Sequence, residues 1–143
     1  MGLAAAKDCV LCFAAENRKV FEEIEAATGW NFLDTAAQKC VLRTIRKHRD
    51  DYSWHFRDLV ELAEEADKTV IYAYSMEDPF GIATDKTAMF RDCWQNIRKE
   101  AMNNEKNRLK EQIKETEKNG NTEELTILLR KFAEIQQELR KLQ

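Results

Sequence analysis

Cys9 and Cys12 stand at C-x-x-C spacing in the stretch CVLC. On a helix, residues three apart share a face, so two thiols there could supply half a metal site or a redox pair. The pattern goes no further: no second C-x-x-C occurs, and Cys40 and Cys93 stand alone inside apolar stripes. A free Cys commonly behaves as a small buried hydrophobe, so packing is the role expected of both thiols. His48 and His55 flank a charged turn holding Asp50 and Asp51. That is the makings of a metal cluster, but also the ordinary look of surface histidines beside acids. The carboxylate pairs Glu22-Glu23, Glu64-Glu65 and Glu123-Glu124 read as solvated helix faces and N-terminal turns. No Gly-rich phosphate loop and no Ser motif for acyl transfer is present. The expectation is a fragment with no catalytic residue, no metal and no cofactor.

Charge narrows the partners. The 143 residues carry a net charge of -3, whereas nucleic-acid binders gather a basic excess on one face. From Glu105 onward nine Lys/Arg meet eight acids, and the one local basic run, RTIRKHR at Arg43–Arg49, is followed by two Asp. It reads as a solvated helix end, where cations suit the dipole. Little or no direct nucleic-acid binding is expected. No apolar run approaches the roughly 20 residues of a membrane span. Nor does MGLAAAKD have the layout of a secretory signal; Met1-Gly2 reads as a start added to a fragment. Four Cys fit a reduced cytoplasmic setting.

Helices must position whatever these residues do. One Pro, four Gly and abundant Lys, Glu, Ala and Leu predict an all-α chain. The first helix is expected over Leu3 to Glu16. A second, capped by Asn17, ends at Thr28-Gly29. Trp30 and Phe32 in TGWNF then plug the core. A helix follows from Asp34 or Thr35 to about His48, then one carrying Phe56, Leu59, Val60 and Leu62. A short one capped by Asp67 precedes the break at EDPFG. From Thr84 to Lys118 nothing stops a helix, which at about 1.5 Å per residue would run about 50 Å. Its apolar face fades at NNEKNR, where Asn103, Asn104 and Asn107 are poor helix formers. A boundary is placed there: a bundle over 1–102, and a projecting C-terminal helical hairpin over 103–143 hinged on those three Asn.

In the hairpin, Gly120 is the stop and Asn121 with Glu124 forms a capping box. The last helix carries Leu125, Leu128, Phe132, Ile135, Leu139 and Leu142 at steps of three and four, widened by Leu129. The outgoing helix opposes them with only Leu109 and Ile113, helped by Thr116. An unmatched seam, with Ile127 on the charged face beside it, predicts a protein-binding patch.

The order of these parts resembles the C-terminal helicase-binding domain of bacterial DNA primases of the DnaG type. The carriers are AAAKDCVLCFAAENRKVFEEI, the aromatic loop TGWNF, QKCVLRTIRKH, MFRDCWQNIRKE, and the close RLKEQIKETEKNGNTEELTILLRKFAEIQQELRKL. The resemblance covers nearly all of the chain after Gly2. It implies a non-catalytic domain whose hairpin docks on the N-terminal domain of the hexameric replicative helicase. Primer synthesis would belong to other domains of the parent primase, a DNA-directed RNA polymerase. Cys9 and Cys12 depart from the aliphatic residues that the family tends to place there. Amphipathic geometry selects Leu125, Ile127, Leu128, Lys131, Phe132 and Ile135 as the partner surface, with Leu109 and Ile113 across the hairpin. A monomer or weak dimer is expected. The rival readings are the related N-terminal assembly domain of a replicative helicase, which would self-associate, a thiol or metal protein using Cys9 and Cys12, and direct single-strand binding through Arg43 to Arg49, which would weaken steeply with salt.

Overall fold

The computed structural model describes residues 2–77, 79–80 and 85–142. These residues are all-α, with no strand among them. The helices are α1 (Leu3–Ala15), α2 (Arg18–Thr28), α3 (Ala36–His48), α4 (Leu59–Leu62), α5 (Lys68–Met76), α6 (Lys86–Asn119) and α7 (Thr122–Lys141), with 3₁₀ turns at Phe56–Asp58 and Glu65–Asp67. Two compact units divide at Trp94/Gln95, inside α6, eight residues before the boundary expected after Met102. Asn103, Asn104 and Asn107 lie in unbroken helix. Asn costs only roughly 0.6 kcal/mol against Ala in a helix, too little to break one carrying Met102 and Leu109 on either side. Of the EDPFG break, Asp78 and Gly81 lie outside the described residues, as does Thr84, the expected start of the long helix.

In the first unit, Met1–Trp94, α1 is the central element. Its consecutive residues Cys9, Val10, Leu11 and Cys12 are all buried, as are Ala6, Ala14 and Ala15. At about 100° per residue, four in a row leave this middle part of α1 no face for water, so other segments must surround it there, while Ala4 and Ala5 in its first turn stay exposed. The buried alanines carry no bulk, which lets neighbouring backbones approach. Phe13 stacks on Phe90 of α6 at 4.4 Å between ring centroids, and Phe80 leans on it at 6.0 Å. The buried Tyr52 hydroxyl donates to the Ala15 carbonyl at 3.0 Å, satisfying one of the acceptors a helix end leaves over.

One polar hub is tolerated inside because all its groups are matched. Gln38, 1% exposed, lies in the first turn of α3. Its Oε1 accepts from the backbone N–H of Asp34 (3.0 Å) and Thr35 (3.2 Å), and its own N–H donates to Thr35 Oγ1 (3.0 Å), completing a capping box. Its Nε2 donates to Asp8 Oδ1 on α1 (2.9 Å), and the Tyr74 hydroxyl of α5 donates to the same oxygen (2.8 Å). Three helices are thus tied through one carboxylate.

Turns follow the residue chemistry, with two corrections. Asn17 caps α2, accepting from Val20 N–H at 3.3 Å, and Gly29 ends that helix at φ 61°. Trp30 follows in the same left-handed region, as does Trp54. A bulky residue there costs on the order of 1 kcal/mol or more. Both indoles pack on Phe21, at 5.2 and 5.6 Å, and that burial holds the turns. Asp67 makes no side-chain cap on α5. Its carboxylate turns instead to Arg43 (3.4 Å) and the Cys40 thiol, because a buried thiol and a nearby guanidinium compete for it. The region of Phe56 to Leu62 is a 3₁₀ turn running into a single helical turn rather than a full helix.

Gln38→Ala should cost about 1–3 kcal/mol, since it empties a buried position and removes the bonds from Gln38 to the Asp34 and Thr35 N–H groups and to Asp8. All three Trp lie in the first unit, so urea unfolding followed by Trp fluorescence reads that unit directly. A loss below about 1 kcal/mol would show that the hub is not the tie between α1, α3 and α5.

Candidate functional site

The second unit, Gln95–Gln143, holds the rest of α6 and all of α7. Gly120, at φ 71°, ends α6, and its N–H donates to the Thr116 carbonyl at 3.0 Å. Asn121 Oδ1 then accepts from Glu124 N–H at 3.2 Å, starting α7. Only half of the expected capping box forms: the Glu124 carboxylate meets the Asn121 side-chain amide at 3.4 Å, not its backbone N–H. With two residues between the helices, the chain must reverse.

Register follows from two contacts across the hairpin. Lys106 Nζ sits 5.8 Å from the Phe132 ring centroid. Glu105 has its carboxyl held below its usual range, first by the hydrogen bond from Arg108 and more weakly by the Arg108 and Lys131 charges. Residues 105 and 106 therefore lie level with 131 and 132, which puts Leu109 level with Leu128.

The residues expected to form the partner surface divide into three groups. Leu109 and Leu128 are buried, as are Thr116 and Leu139. Ile113, Leu125, Phe132 and Ile135 are half-buried. Ile127 is 53% exposed and Lys131 is exposed. Leu129, read from sequence as widening the seam, is 48% exposed on a flank of α7. The apolar groups that a partner could cover without prising the helices apart are Ile127 and Leu129, with the half-buried edges beside them.

The other candidates are drawn into the first unit. Cys9, Cys12 and Cys93 are buried together, and Cys9 hydrogen-bonds to Cys93. Burial, reinforced by the neighbouring thiols, pushes Cys9 up to about 12, so it stays a neutral thiol at ordinary pH. His48 Nδ1 faces Asp51 at 3.4 Å, while the His55 backbone N–H donates to Ser53 Oγ. Among the described residues, no group of three or more His, Cys, Asp or Glu could hold a metal ion. A cavity of about 360 Å³ lies beside Phe13, Phe56, Tyr74, Met76 and Phe80; no sequence pattern pointed to it, since its walls come from distant segments.

The basic run is neutralised in place. Arg46 and Arg49 bind Glu25, and Arg49 also reaches Glu22 at 3.3 Å. Arg43 binds Asp67 and Lys47 binds Glu64 at 3.1 Å. The acids come from α2 and from the segment around α4 and α5, so only the folded chain brings them to the arginines. No described helix is long and apolar enough to cross a membrane. Compared with known proteins, the chain matches no family model, no curated protein and no solved structure.

The buried thiol sets a pH dependence. Cys9 titrates from its ordinary 9.0 when unfolded and at about 12 when folded. The folded state then holds the proton longer, so stability is full below pH 9 and falls as pH rises from about 9 to 12. Tyr52 and Tyr74, both raised chiefly by burial, act in the same direction at higher pH. Urea midpoints measured from pH 8 to 11 should decline, and Cys9→Ala should flatten the first part of the slope. A flat profile would contradict the burial of the thiol.

Proposed function

We propose that this chain is a non-catalytic docking module: the helicase-binding domain of a bacterial-type DNA primase, acting in the cytoplasm at the replication fork. Its hairpin would bind the N-terminal domain of the hexameric replicative helicase and keep primer synthesis close to the emerging template. The mechanism is effective concentration, not bond chemistry. The reading rests on the resemblance in the order of parts. The observation that carries it is the hairpin itself, where Ile127 stands 53% exposed beside a seam whose flanks are half-covered. Pairing of Arg43, Arg46, Lys47 and Arg49 with acids of the same chain favours a protein partner over a nucleic acid.

Two helices offer a small contact, about 1,200 Å² or less in total, which belongs to the weak end of specific interfaces. Covering the rest of Ile127 contributes about 1 kcal/mol, and several copies on one ring would strengthen the assembly.

Calorimetry of the full chain against the hexameric helicase should give moderate affinity, and Ile127→Asp should weaken it about tenfold, or 1.4 kcal/mol, with helicity unchanged. Light scattering of the free chain should give a monomer or weak dimer. Absence of binding across salt and temperature would remove the primase reading, and trimers or hexamers would favour the helicase assembly domain.

A further inference from the structure

Ile127 and Leu129 are two residues apart, about 200° of helical turn, and so stand on opposite flanks of α7. The charges around them are sorted. The Ile127 flank carries Glu123, Glu124, Lys131, Glu134 and Glu138 at helical steps. The Leu129 flank has an uncharged row, Thr122, Thr126, Ala133 and Gln136, ending at Arg140.

The cross-hairpin contacts fix which side of α6 adjoins each flank. Glu105 interacts with Lys131, so its row joins the Ile127 flank. Lys106, reaching over Phe132, begins the row that joins the Leu129 flank. That row continues through Lys110 and Lys114, one cation per turn, with Glu117 at its end. Lys110, Lys114 and Arg140 are exposed. Lys114 shares a long contact with Glu111 at 3.8 Å, while Lys110 and Arg140 have no ion-pair partner among the described residues. A basic rail thus faces a shallow, uncharged ridge with Leu129 at its middle.

We propose that this flank, formed by Lys106, Lys110, Lys114, Leu129, Ala133 and Arg140, docks an acidic amphipathic helix of a partner protein. The small side chain of Ala133, beside Leu129 on this flank, leaves room for a third helix to lie along α7, where its apolar stripe covers Leu129. Its carboxylates then meet the lysine row at one-turn intervals, which matches a helix bearing Glu every three or four residues. A single strand of nucleic acid fits less well: the aromatic ring beside this flank, Phe132, is half-buried with Lys106 over it, and the opposite flank is acidic. The inference deepens the docking role proposed for the hairpin by adding a second contact on the flank away from Ile127.

The probe is a synthetic helical peptide with Leu at heptad spacing and Glu between, titrated into the isotope-labelled full chain and followed by NMR. Saturable shifts should centre on Lys106, Lys110, Leu129 and Ala133. Lys110→Glu and Leu129→Asp, both at exposed sites, should each weaken binding about tenfold or more, while Ile127→Asp leaves it unchanged. A peptide with Lys in place of Glu should not bind. The proposal is overturned by absent shifts, by shifts on the Ile127 flank, by binding indifferent to both variants, or by oligo-dT producing the same shifts at equal affinity. Peptide binding without helicase binding would keep this flank and remove the helicase. Helicase binding with a silent peptide and a neutral Leu129→Asp would do the reverse.

Discussion

Four consecutive buried residues on α1, Cys9 to Cys12, leave the middle of that helix no face for water, and the first unit is arranged around this constraint. A helix apolar on every side is stable only when enclosed. The surrounding segments supply aromatic cover, from Phe90 of α6 and Phe80 of a turn on Phe13, and Tyr52, outside the helices, donates to a carbonyl at the helix end. Enclosure also raises the stakes for the one carboxylate α1 carries inward. Asp8 is accommodated because Gln38 and Tyr74 both donate to it, and Gln38 in turn closes the cap of α3. A buried polar group with all its bonds made specifies one arrangement of helices, whereas an apolar contact tolerates sliding.

The hairpin obeys a different constraint. Two antiparallel helices can bury only the stripe between them, here centred on Leu109, Leu128 and Leu139. Everything else on their surfaces remains half-covered or open. In such an element the flanks are free to carry recognition, because altering them does not cost a core. Exposed Ile127 and Leu129 and the opposite charge of their surroundings are features that folding of the hairpin does not require.

Charge plays opposite roles in the two units. Around α3 the cations are spent internally, on Glu22, Glu25, Glu64 and Asp67. Exposed pairs of this kind each contribute well under about 1 kcal/mol, but together they leave the Arg43–Arg49 run without the free field an anionic polymer would need. Along the hairpin several cations stay open. A basic run in a sequence is therefore no guide to a basic surface until the acids folded against it are known.

Much was legible in the chain itself because the signals are local. Asn17, Gly29, Thr35 and Gly120 each impose their turn through their own side chain or its absence, and the three-and-four spacing of α7 names its buried stripe without help from anywhere else. What the tertiary structure alone decided is the fate of groups whose partners are distant in sequence. Asp67 has the right type and place for a cap, yet Arg43 and Cys40 take its carboxylate. Leu129 fits a widened seam by spacing, yet α6 is one helix wide and reaches only the stripe from Leu125 to Leu139. The unit boundary fell at Trp94 rather than near the Asn-rich stretch, because compactness depends on which residues find neighbours, while helix propensity concerns only the backbone's own turn. Periodicity and capping are written in the sequence. Which face of each helix remains for a partner is set by what the rest of the chain has already covered.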